Sequence, residues 1–242
     1  TLNRFVVLAT EGGAGAAVAG VGDLTGDGVV DIAVGAPGWG RFSGWEGAGG
    51  VFIIAGAVEL GAQQSLVDQA QLVLAGADLS AEGGDHDPAA GRSLVGGFDS
   101  DGDGHMDLLI GAPGPGETPG GAFLVRGPVS TSANLNSASI DLFLTGAALP
   151  SERTPDESGA AVAAGALMAD GAIAMVVGAP MHGESGAPHA GVVYLVSGGG
   201  GGTFPLEGGV RVRSLEPEAQ LGGALAVADW DGDGLDDLAM GA

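Results

Sequence analysis

One nine-residue pattern recurs along this chain and constrains its fold more than any other feature. It is clearest at Asp99–Asp107, which reads Asp-Ser-Asp-Gly-Asp-Gly-His-Met-Asp and runs into the apolar stretch Leu108–Pro113. Carboxylates stand at positions 1, 3, 5 and 9, and glycine stands at position 6, where the chain reverses. Alternating oxygen ligands of this kind suit Ca²⁺, which takes about six to eight of them. The pattern therefore predicts a metal-binding loop followed by a strand.

Two further copies of the pattern are intact. Asp23–Asp31 leads into Ile32–Pro37, and Asp229–Asp237 leads into Leu238–Ala242. Two unpaired carboxylates about 4 Å apart repel by roughly 4 kcal/mol at an effective dielectric constant near 20, so these acids need a cation among them. We therefore expect Ca²⁺ as the cofactor, at about three sites.

A fourth copy keeps the frame of the loop without most of its acids. Gly178–Pro180 closes it, and Asp170–Gly171 falls where Asp27–Gly28 falls in the first copy. Its other ligand positions are occupied by Ala166, Met168 and Ala174. We interpret this copy as one that keeps the fold and has lost the metal.

The copies are spaced like the units of a repeat protein. Their first positions are residues 23, 99, 166 and 229, so the spacings are 76, 67 and 63 residues. A period of about 65 residues suits a four-stranded propeller blade. Each unit offers short runs of β-branched or aromatic residues bounded by Gly and Pro, which are strand signals. Besides the strands that follow the loops, the predicted strands are Gly15–Ala19, Gly91–Val95, Gly159–Ala163 and Gly222–Ala226; Gly50–Ile54, Gly121–Val125 and Gly191–Val196; and Gln71–Leu74, Ile140–Leu144 and Val210–Arg213.

The predicted fold class is all-β, a partial β-propeller of about 3.5 four-stranded blades. Arg4–Leu8 matches an outer strand, and only Ala57–Gln71 has a composition that could hold a short helix. An open arc of blades leaves strand edges unpaired. The predicted units are residues 1–10, the outer strand of a preceding blade; 11–76 and 87–146, two blades; 155–214, a blade with the degenerate metal loop; and 219–242, half a blade.

The composition of the chain limits the kinds of partner that it can be expected to bind. The 242-residue chain has a formal net charge of −23, and all seven of its basic residues are arginine. Such a charge argues against nucleic acid or an anionic membrane surface as a partner. The chain has no cysteine, so disulfides and thiolate metal sites are excluded. Gly159–Pro180 has the length of a membrane span, but it aligns with the strand–loop–strand of the other units, so we predict no direct membrane insertion.

The Gly-led strand, the Asp-rich loop and the Gly-Ala-Pro ending together resemble FG-GAP repeats, as in the β-propeller at the head of integrin α subunits. The resemblance covers nearly the whole chain, although propellers of that family usually have more blades. The phenylalanine of "FG" is absent, since its four places hold Ala14, Ala90, Ser158 and Leu221. Thr25 stands at loop position 3 of the first copy, where its hydroxyl brings no charge, so we expect weaker metal binding there.

The resemblance implies Ca²⁺ in the loop between the first and second strands of a blade, in a mainly structural role. It also implies that partners bind the opposite face of the propeller, where we expect a protein or glycan ligand. Matched residue by residue, the implied metal ligands are Asp23, Thr25, Asp27, the carbonyl of Val29 and Asp31; Asp99, Asp101, Asp103, the carbonyl of His105 and Asp107; and Asp229, Asp231, Asp233, the carbonyl of Leu235 and Asp237.

The expected function is that of a binding module in an exported protein, extracellular or at the cell surface, serving adhesion or protein–protein contact. The chain has no Gly-x-Ser-x-Gly, no His-Glu-x-x-His and no lysine for a Walker motif, so no enzymatic activity is predicted. It begins with Thr and shows no signal peptide, but it reads as a fragment, so this does not indicate the cytoplasm. Two alternatives stay open: a non-catalytic accessory domain of a larger secreted hydrolase of the phospholipase-D type, and a structural stalk or surface-layer piece.

Other interpretations of the loops, the histidines and the tryptophans also stay open. The loops could be Asp-Gly turns without metal, or EF-hand or dockerin loops, which need flanking helices; the EF-hand also needs Glu at position 12, where Val34, Ile110 and Met240 stand. His86, His182 and His189 could mark a site, but surface loops are the simpler interpretation. Trp39 and Trp45 could contact a ligand or form a local loop core.

Overall fold

The structure, a computed structural model, shows the all-β fold that the sequence predicts. It describes residues 7–8, 12–40, 48–56, 64–65, 70–76, 89–114, 120–135, 140–146, 156–183, 186–198 and 200–242. Within these ranges the only helix is one 3₁₀ turn at Leu206–Gly208. No helix in the described ranges has the length and apolar character needed to cross a bilayer. The possible helix at Ala57–Gln71 lies largely outside the described residues, and within it Gln64–Ser65 form a short strand.

The strands form three large sheets, each built around an antiparallel meander, and two small pairs. In chain order the strands are β1 Val7–Leu8; β2 Ala17–Gly22, β3 Asp31–Gly35 and β4 Gly50–Ile54; β5 Gln64–Ser65; β6 Leu72–Gly76; β7 Ser93–Phe98, β8 Asp107–Ala112 and β9 Gly121–Val125; β10 Ala133–Leu135; β11 Leu142–Thr145; β12 Ala161–Gly165, β13 Ala174–Ala179 and β14 Val192–Ser197; β15 Gly202–Pro205; β16 Val210–Arg213; β17 Ala224–Ala228 and β18 Asp237–Gly241. We call β2-β3-β4-β6 blade 1, β7-β8-β9-β11 blade 2, β12-β13-β14-β16 blade 3, and β17-β18 the half-blade.

Sequence patterns did not predict an extra strand that links each blade to the one before it. The connection between the third and fourth strands of blade 2 contributes β10, which pairs parallel with β6 of blade 1. In blade 3 the same connection contributes β15, which pairs parallel with β11 of blade 2. In blade 1 it contributes β5, which pairs parallel with β1. β1 therefore occupies the place that an outer strand of a preceding blade would take.

The blades pack face to face, as in a propeller. Their innermost strands contact one another in the order β2, β7, β12, β17. Because neighbouring residues of a strand point to opposite faces, each blade contributes to two cores. In β8, for example, Ile110 is buried against blade 1 and the adjacent Leu109 is buried against blade 3. Residues of blade 3 such as Val176 pack in turn against Leu225 and Leu238 of the half-blade. The architecture is a partial β-propeller, as predicted.

The predicted first strands are shifted by two residues. Each was predicted to begin at a glycine, but β2, β7, β12 and β17 begin two residues later. The reason is that the four glycines have φ angles between 89° and 97°, a left-handed conformation that belongs to a turn rather than a strand. These turn glycines are Gly15, Gly91, Gly159 and Gly222.

The same turn glycines join neighbouring blades. Each donates its N–H to the glycine of the Gly-Ala motif in its own blade, as in the bond of 2.8 Å from Gly15 N to Gly35 O. For Gly91, Gly159 and Gly222, the carbonyl also lies so close to the motif glycine of the preceding blade that a Cβ atom there would collide with it. The glycine pairs that touch between blades are Gly35 with Gly91, Gly111 with Gly159, and Gly178 with Gly222.

Candidate metal loops

Each Asp-rich loop connects the first and second strands of a blade and is shaped by its own carboxylates. In the second loop, residues 99–107, Asp99 accepts hydrogen bonds from Gly102 N at 2.7 Å and Gly104 N at 2.9 Å. The fourth loop, residues 229–237, repeats both contacts with Asp229, at 2.7 Å and 3.0 Å. In the first loop, residues 23–31, Asp23 accepts from Gly28 N at 2.9 Å. The carboxylate at position 1 thus folds the loop around itself.

Two loops bring three carboxylates together. Asp99, Asp101 and Asp103 each offer an oxygen, and these oxygens lie within 4.8 Å of one another. Asp229, Asp231 and Asp237 do the same in the fourth loop. In the first loop Asp23, Asp27 and Asp31 form no such group, and Thr25 interrupts the carboxylates at position 3. Ligation by the clustered aspartates stays a prediction, as does ligation by the other expected ligands: Asp23, Thr25, Asp27, Asp31, Asp107, Asp233 and the position-7 carbonyls of Val29, His105 and Leu235.

In the first and second loops the position-9 carboxylates are buried and connect the loop to the sheet. Asp31 and Asp107 have no exposed surface. Asp107 accepts hydrogen bonds from Ser100 N at 2.7 Å, from Ser100 Oγ at 2.6 Å, and from Gly127 N at 3.2 Å just beyond the third strand. Asp31 accepts from Thr25 N and, at 3.1 Å, from Gly56 N in the corresponding place. One carboxylate therefore fixes the second strand, the loop and the end of the third strand.

The two ends of the second loop have opposite electrostatic environments. The N–H of Gly104, with those of neighbouring residues, lowers the pKa of Asp99 below the ordinary aspartate value. Burial raises the pKa of Asp107, because its ionised form loses water and only the donors from Ser100 and Gly127 compensate in part. A cation near Asp107 would favour the ionised form and offset that cost.

The third loop, residues 166–174, keeps the turn without the cluster. Asp170 accepts the N–H of Ala172 at 3.0 Å, as Asp27 accepts that of Val29 at 2.8 Å, so the alignment of the two copies holds. At its first position, the N–H of Ala166 is bound at 2.7 Å by Asp236 from the next loop. Among the described residues, this loop contributes no member to a group of three acidic side chains.

An arginine that sequence reasoning missed lies beside the second loop. Arg126 follows β9, and its Nε lies 3.2 Å from Asp101 Oδ2. Its guanidinium also donates to the carbonyl of Gly200 in blade 3 at 2.8 Å. It therefore connects a candidate metal ligand to the neighbouring blade. No motif marks Arg126, because only the sheet brings it to the loop.

The donor set fits a hard divalent cation. Both clusters offer only carboxylate oxygen, and the chemistry matches Ca²⁺ rather than a metal that prefers nitrogen or sulfur. In the first loop the Oγ1 atom of Thr25 is buried without a hydrogen-bond partner in the described structure, as expected of an oxygen turned inward. Strands, not helices, flank every loop, so the EF-hand and dockerin readings are wrong for the described residues.

Residues 14–54 and 90–125 match the FG-GAP repeat family, and each segment contains the first three strands of a blade with the loop between them. The family match therefore covers two segments of the chain. The two loops inside the matched segments are the first and second, so the FG-GAP frame and the acidic pattern coincide there.

The chain is also similar to curated phosphatidylinositol-glycan-specific phospholipases D. It is 33% identical to the rat protein over 141 residues, which is 57% of this chain and 17% of the rat protein. The bovine protein is 32% identical over 143 residues, 58% of this chain and 17% of that protein. The human protein is 39% identical over 82 residues, 31% of this chain and 10% of that protein. The similarity thus covers about a sixth of the rat and bovine proteins and a tenth of the human protein.

The remaining candidate residues have local partners or lie outside the described ranges. Trp39 packs edge-on against Phe52 with ring centroids 5.5 Å apart, which supports the loop-core interpretation. His189 Nδ1 lies 3.3 Å from Glu218 Oε2 at the surface. His182 is buried rather than exposed on a loop. His86 and Trp45 lie outside the described residues.

Proposed function

We propose that this chain is a calcium-binding propeller module of an extracellular or cell-surface protein, which presents a surface for a protein or glycan partner. The observation that carries the metal part of the proposal is the convergence of three carboxylates in the second and fourth loops. The second of these loops lies inside a segment that matches the FG-GAP repeat. Ca²⁺ is the hard cation that suits such exposed, all-oxygen loops.

The bound ion would act on the fold rather than on a substrate. In the second loop it would neutralise the converging acids, and Asp107 would connect it to the end of β9 through Gly127. Metal binding to the folded state stabilises it by mass action, by about 2.7 kcal/mol per site when Ca²⁺ is at 100 times its Kd. Removal of Ca²⁺ by a chelator should therefore lower the free energy of unfolding by the same amount.

The partner surface is proposed to lie at the opposite ends of the second strands. The Gly-Ala-Pro segments there carry the connections to the third strands, away from the loops. Adhesion or protein–protein contact at that rim agrees with the absence of catalytic motifs from the sequence. The net charge of −23 makes nucleic acid a poor partner.

A second candidate function rests on the relatives. The similarity of this chain to phosphatidylinositol-glycan-specific phospholipase D favours a role as a non-catalytic accessory region of a larger hydrolase of that class. If that is its role, the intact protein should cleave phosphatidylinositol-glycan substrates. Substitutions in the Asp-rich loops should then lower its stability more than its kcat.

Thermal unfolding with Ca²⁺ or with EDTA tests the metal proposal. We expect excess Ca²⁺ to raise the Tm of demetallated protein, because the ion binds only the folded loops. Asp99→Asn should reduce that rise, since Asp99 belongs to the second cluster. Asp170→Asn is the matched control in the third loop and should leave the rise unchanged. Equal melting in Ca²⁺ and in EDTA would refute the proposal.

A further inference from the structure

The second and fourth loops carry the same four acids but differ in the charge beside them. Both have aspartate at positions 1, 3, 5 and 9. In the second loop, Nε of Arg126 lies 3.2 Å from Oδ2 of Asp101, the carboxylate at position 3. Among the described residues, no arginine or histidine lies within 4.0 Å of an acid of the fourth loop. Of these two loops, the second therefore has a cation of the protein beside a candidate metal ligand.

The arginine is a property of blade 2 and not of blades in general. One residue of each third strand pairs with the residue that follows loop position 9, and these pairs are Ile32 with Ile54, Leu108 with Val125, and Met175 with Val196. The next residue along the third strand is Ala55 in blade 1, Arg126 in blade 2 and Ser197 in blade 3. A blade therefore forms with a small residue in this place, and its fold does not require the arginine.

The side chain of Arg126 is held in position beside the loop. Its guanidinium donates to the carbonyl of Gly200 at 2.8 Å, in the connection between β14 and β15 of blade 3. Asp141 accepts the main-chain N–H of Arg126 at 2.8 Å and not its guanidinium. Among the described residues, Asp101 is therefore the acid that pairs with the charge of Arg126.

A divalent ion in the second loop would have to share Asp101 with this arginine. The carboxylate belongs to the cluster of three that could hold the ion. Ca²⁺ needs several such oxygens, and two cations beside one carboxylate repel each other. The side chain of Arg126 is only 17% exposed, so solvent screens this repulsion incompletely.

We propose that Arg126 competes with Ca²⁺ for Asp101 and thereby lowers the affinity of the second loop for the ion. This inference rests on the proposed calcium-binding function and adds the regulation of one of its sites. Because coupling between two interactions is reciprocal, Ca²⁺ in the loop also weakens the contact of Arg126 with Asp101. Arg126 binds blade 3 through Gly200, so occupation of the second loop acts on the junction between blades 2 and 3.

Calcium titration of the second loop alone tests the inference. The fourth loop has a further acid, Asp236, so the two loops are not matched and the comparison is made within one loop. Asp23→Asn and Asp229→Asn together disable the first and fourth loops of the full chain, and each keeps one acceptor oxygen for the loop N–H groups. In this single-loop protein we expect Arg126→Gln to lower the Kd for Ca²⁺ about tenfold or more, because a repelling charge is removed. Isothermal titration calorimetry measures the Kd.

Three further variants of the single-loop protein make the test specific. Arg126→Ala installs the residue that stands at Ala55 in blade 1, and it should lower the Kd in the same way. Arg126→Lys keeps the charge and should leave the Kd close to its unsubstituted value. Arg92→Gln removes an exposed arginine at the opposite end of blade 2 and should leave the Kd unchanged. A merely structural role for Arg126 would give equal or weaker binding in Arg126→Gln and Arg126→Ala, and that result would overturn the inference.

Thermal unfolding gives an independent readout of the same competition. In EDTA, Arg126→Gln should lower the Tm of the single-loop protein, because the contact with Asp101 is lost. The rise in Tm at a fixed concentration of Ca²⁺ should nevertheless be larger in this variant, because its loop binds the ion more tightly. If the single-loop protein and its variants all bind no Ca²⁺, this inference and the metal proposal fail together. If they all bind Ca²⁺ with the same Kd, this inference fails and the metal proposal stands.

Discussion

At the residue scale, the aspartate at position 9 has a structural task that its position in the loop does not reveal. Asp107 is buried and receives donors from Ser100 and Gly127, whereas Asp103 is exposed and accepts the N–H of its near neighbour His105. An unsatisfied buried donor costs about 1–3 kcal/mol, so position 9 contributes to stability before any metal binds. The two kinds of aspartate can therefore be separated by experiment.

We expect Asp107→Ala to destabilise the protein even in EDTA. The substitution leaves the N–H groups of Ser100 and Gly127 and the hydroxyl of Ser100 without their acceptor. Because these donors are only partly buried, we expect a loss of about 1–3 kcal/mol in total. Asp103→Ala is the control, and it should weaken the response to Ca²⁺ while leaving stability in EDTA nearly unchanged. Urea unfolding of both variants, with and without Ca²⁺, provides the measurement. Equal stability of the two variants in EDTA would show that Asp107 has no such role.

The sequence was sufficient to predict the carboxylates but not their neighbours. Spacing alone predicted that Asp99, Asp101 and Asp103 would converge, because the carboxylates of one loop are local in sequence. Arg126 and Asp236 act on loops from other strands or other blades. The contacts of Arg126 and Asp236 depend on how the sheets pack against one another, and a local sequence pattern does not predict that packing.

At the element scale, the first two strands of each blade form a hairpin whose two ends are fixed differently. At the loop end, the position-9 carboxylate connects strands through side-chain hydrogen bonds. At the other end, glycines of neighbouring blades touch through their backbones, as Gly35 touches Gly91. The second contact allows no side chain, because any Cβ atom on Gly35 would overlap the carbonyl of Gly91. The Gly-Ala motif is therefore a requirement of blade packing.

Gly35→Ala should destabilise the protein by about 1–3 kcal/mol or more, because blades 1 and 2 must separate to admit the methyl group. Gly20→Ala is the matched control on the neighbouring strand β2, where an added Cβ would meet no atom within 4 Å. That control should be neutral or slightly stabilising, since alanine lowers the entropy of the unfolded chain. Differential scanning calorimetry of both variants measures the change in stability. A neutral Gly35→Ala would mean that the two glycines do not touch.

Strand order and most strand positions followed from the sequence because apolar runs and glycines alternate with a regular period. The parallel strands β5, β10 and β15 did not follow, because they are only two to four residues long. Ala133–Leu135 and Gly202–Pro205 show no alternation of their own, and they become strands by pairing with an outer strand of the preceding blade. Such elements are defined by tertiary contact rather than by propensity.

At the scale of the whole molecule, each blade relies on its neighbours for both of its faces and for its outer edge. β6 is covered by β10, and β11 is covered by β15. The outer edge of β16 has no strand partner in the described part of the chain. Three apolar side chains on or next to β16 are exposed: Val210 by 62%, Val212 by 38% and Leu215 by 74%. This surface has the composition and the open hydrogen-bonding edge of a blade interface.

We therefore expect a protein made of residues 1–242 alone to self-associate through the edge of β16. Val212→Lys should suppress the association, because a charge on an open edge opposes strand addition. Val18→Lys is the control, since Val18 is 64% exposed but lies on the innermost strand β2. Sedimentation equilibrium measures the mass, and circular dichroism confirms that both variants keep their strands. If the unsubstituted protein stays monomeric, or if Val18→Lys prevents association equally well, β16 does not form the contact. If association is lost only in Val212→Lys, the parallel pairing seen at β6 and β11 is the rule that joins each blade of this arc to the next.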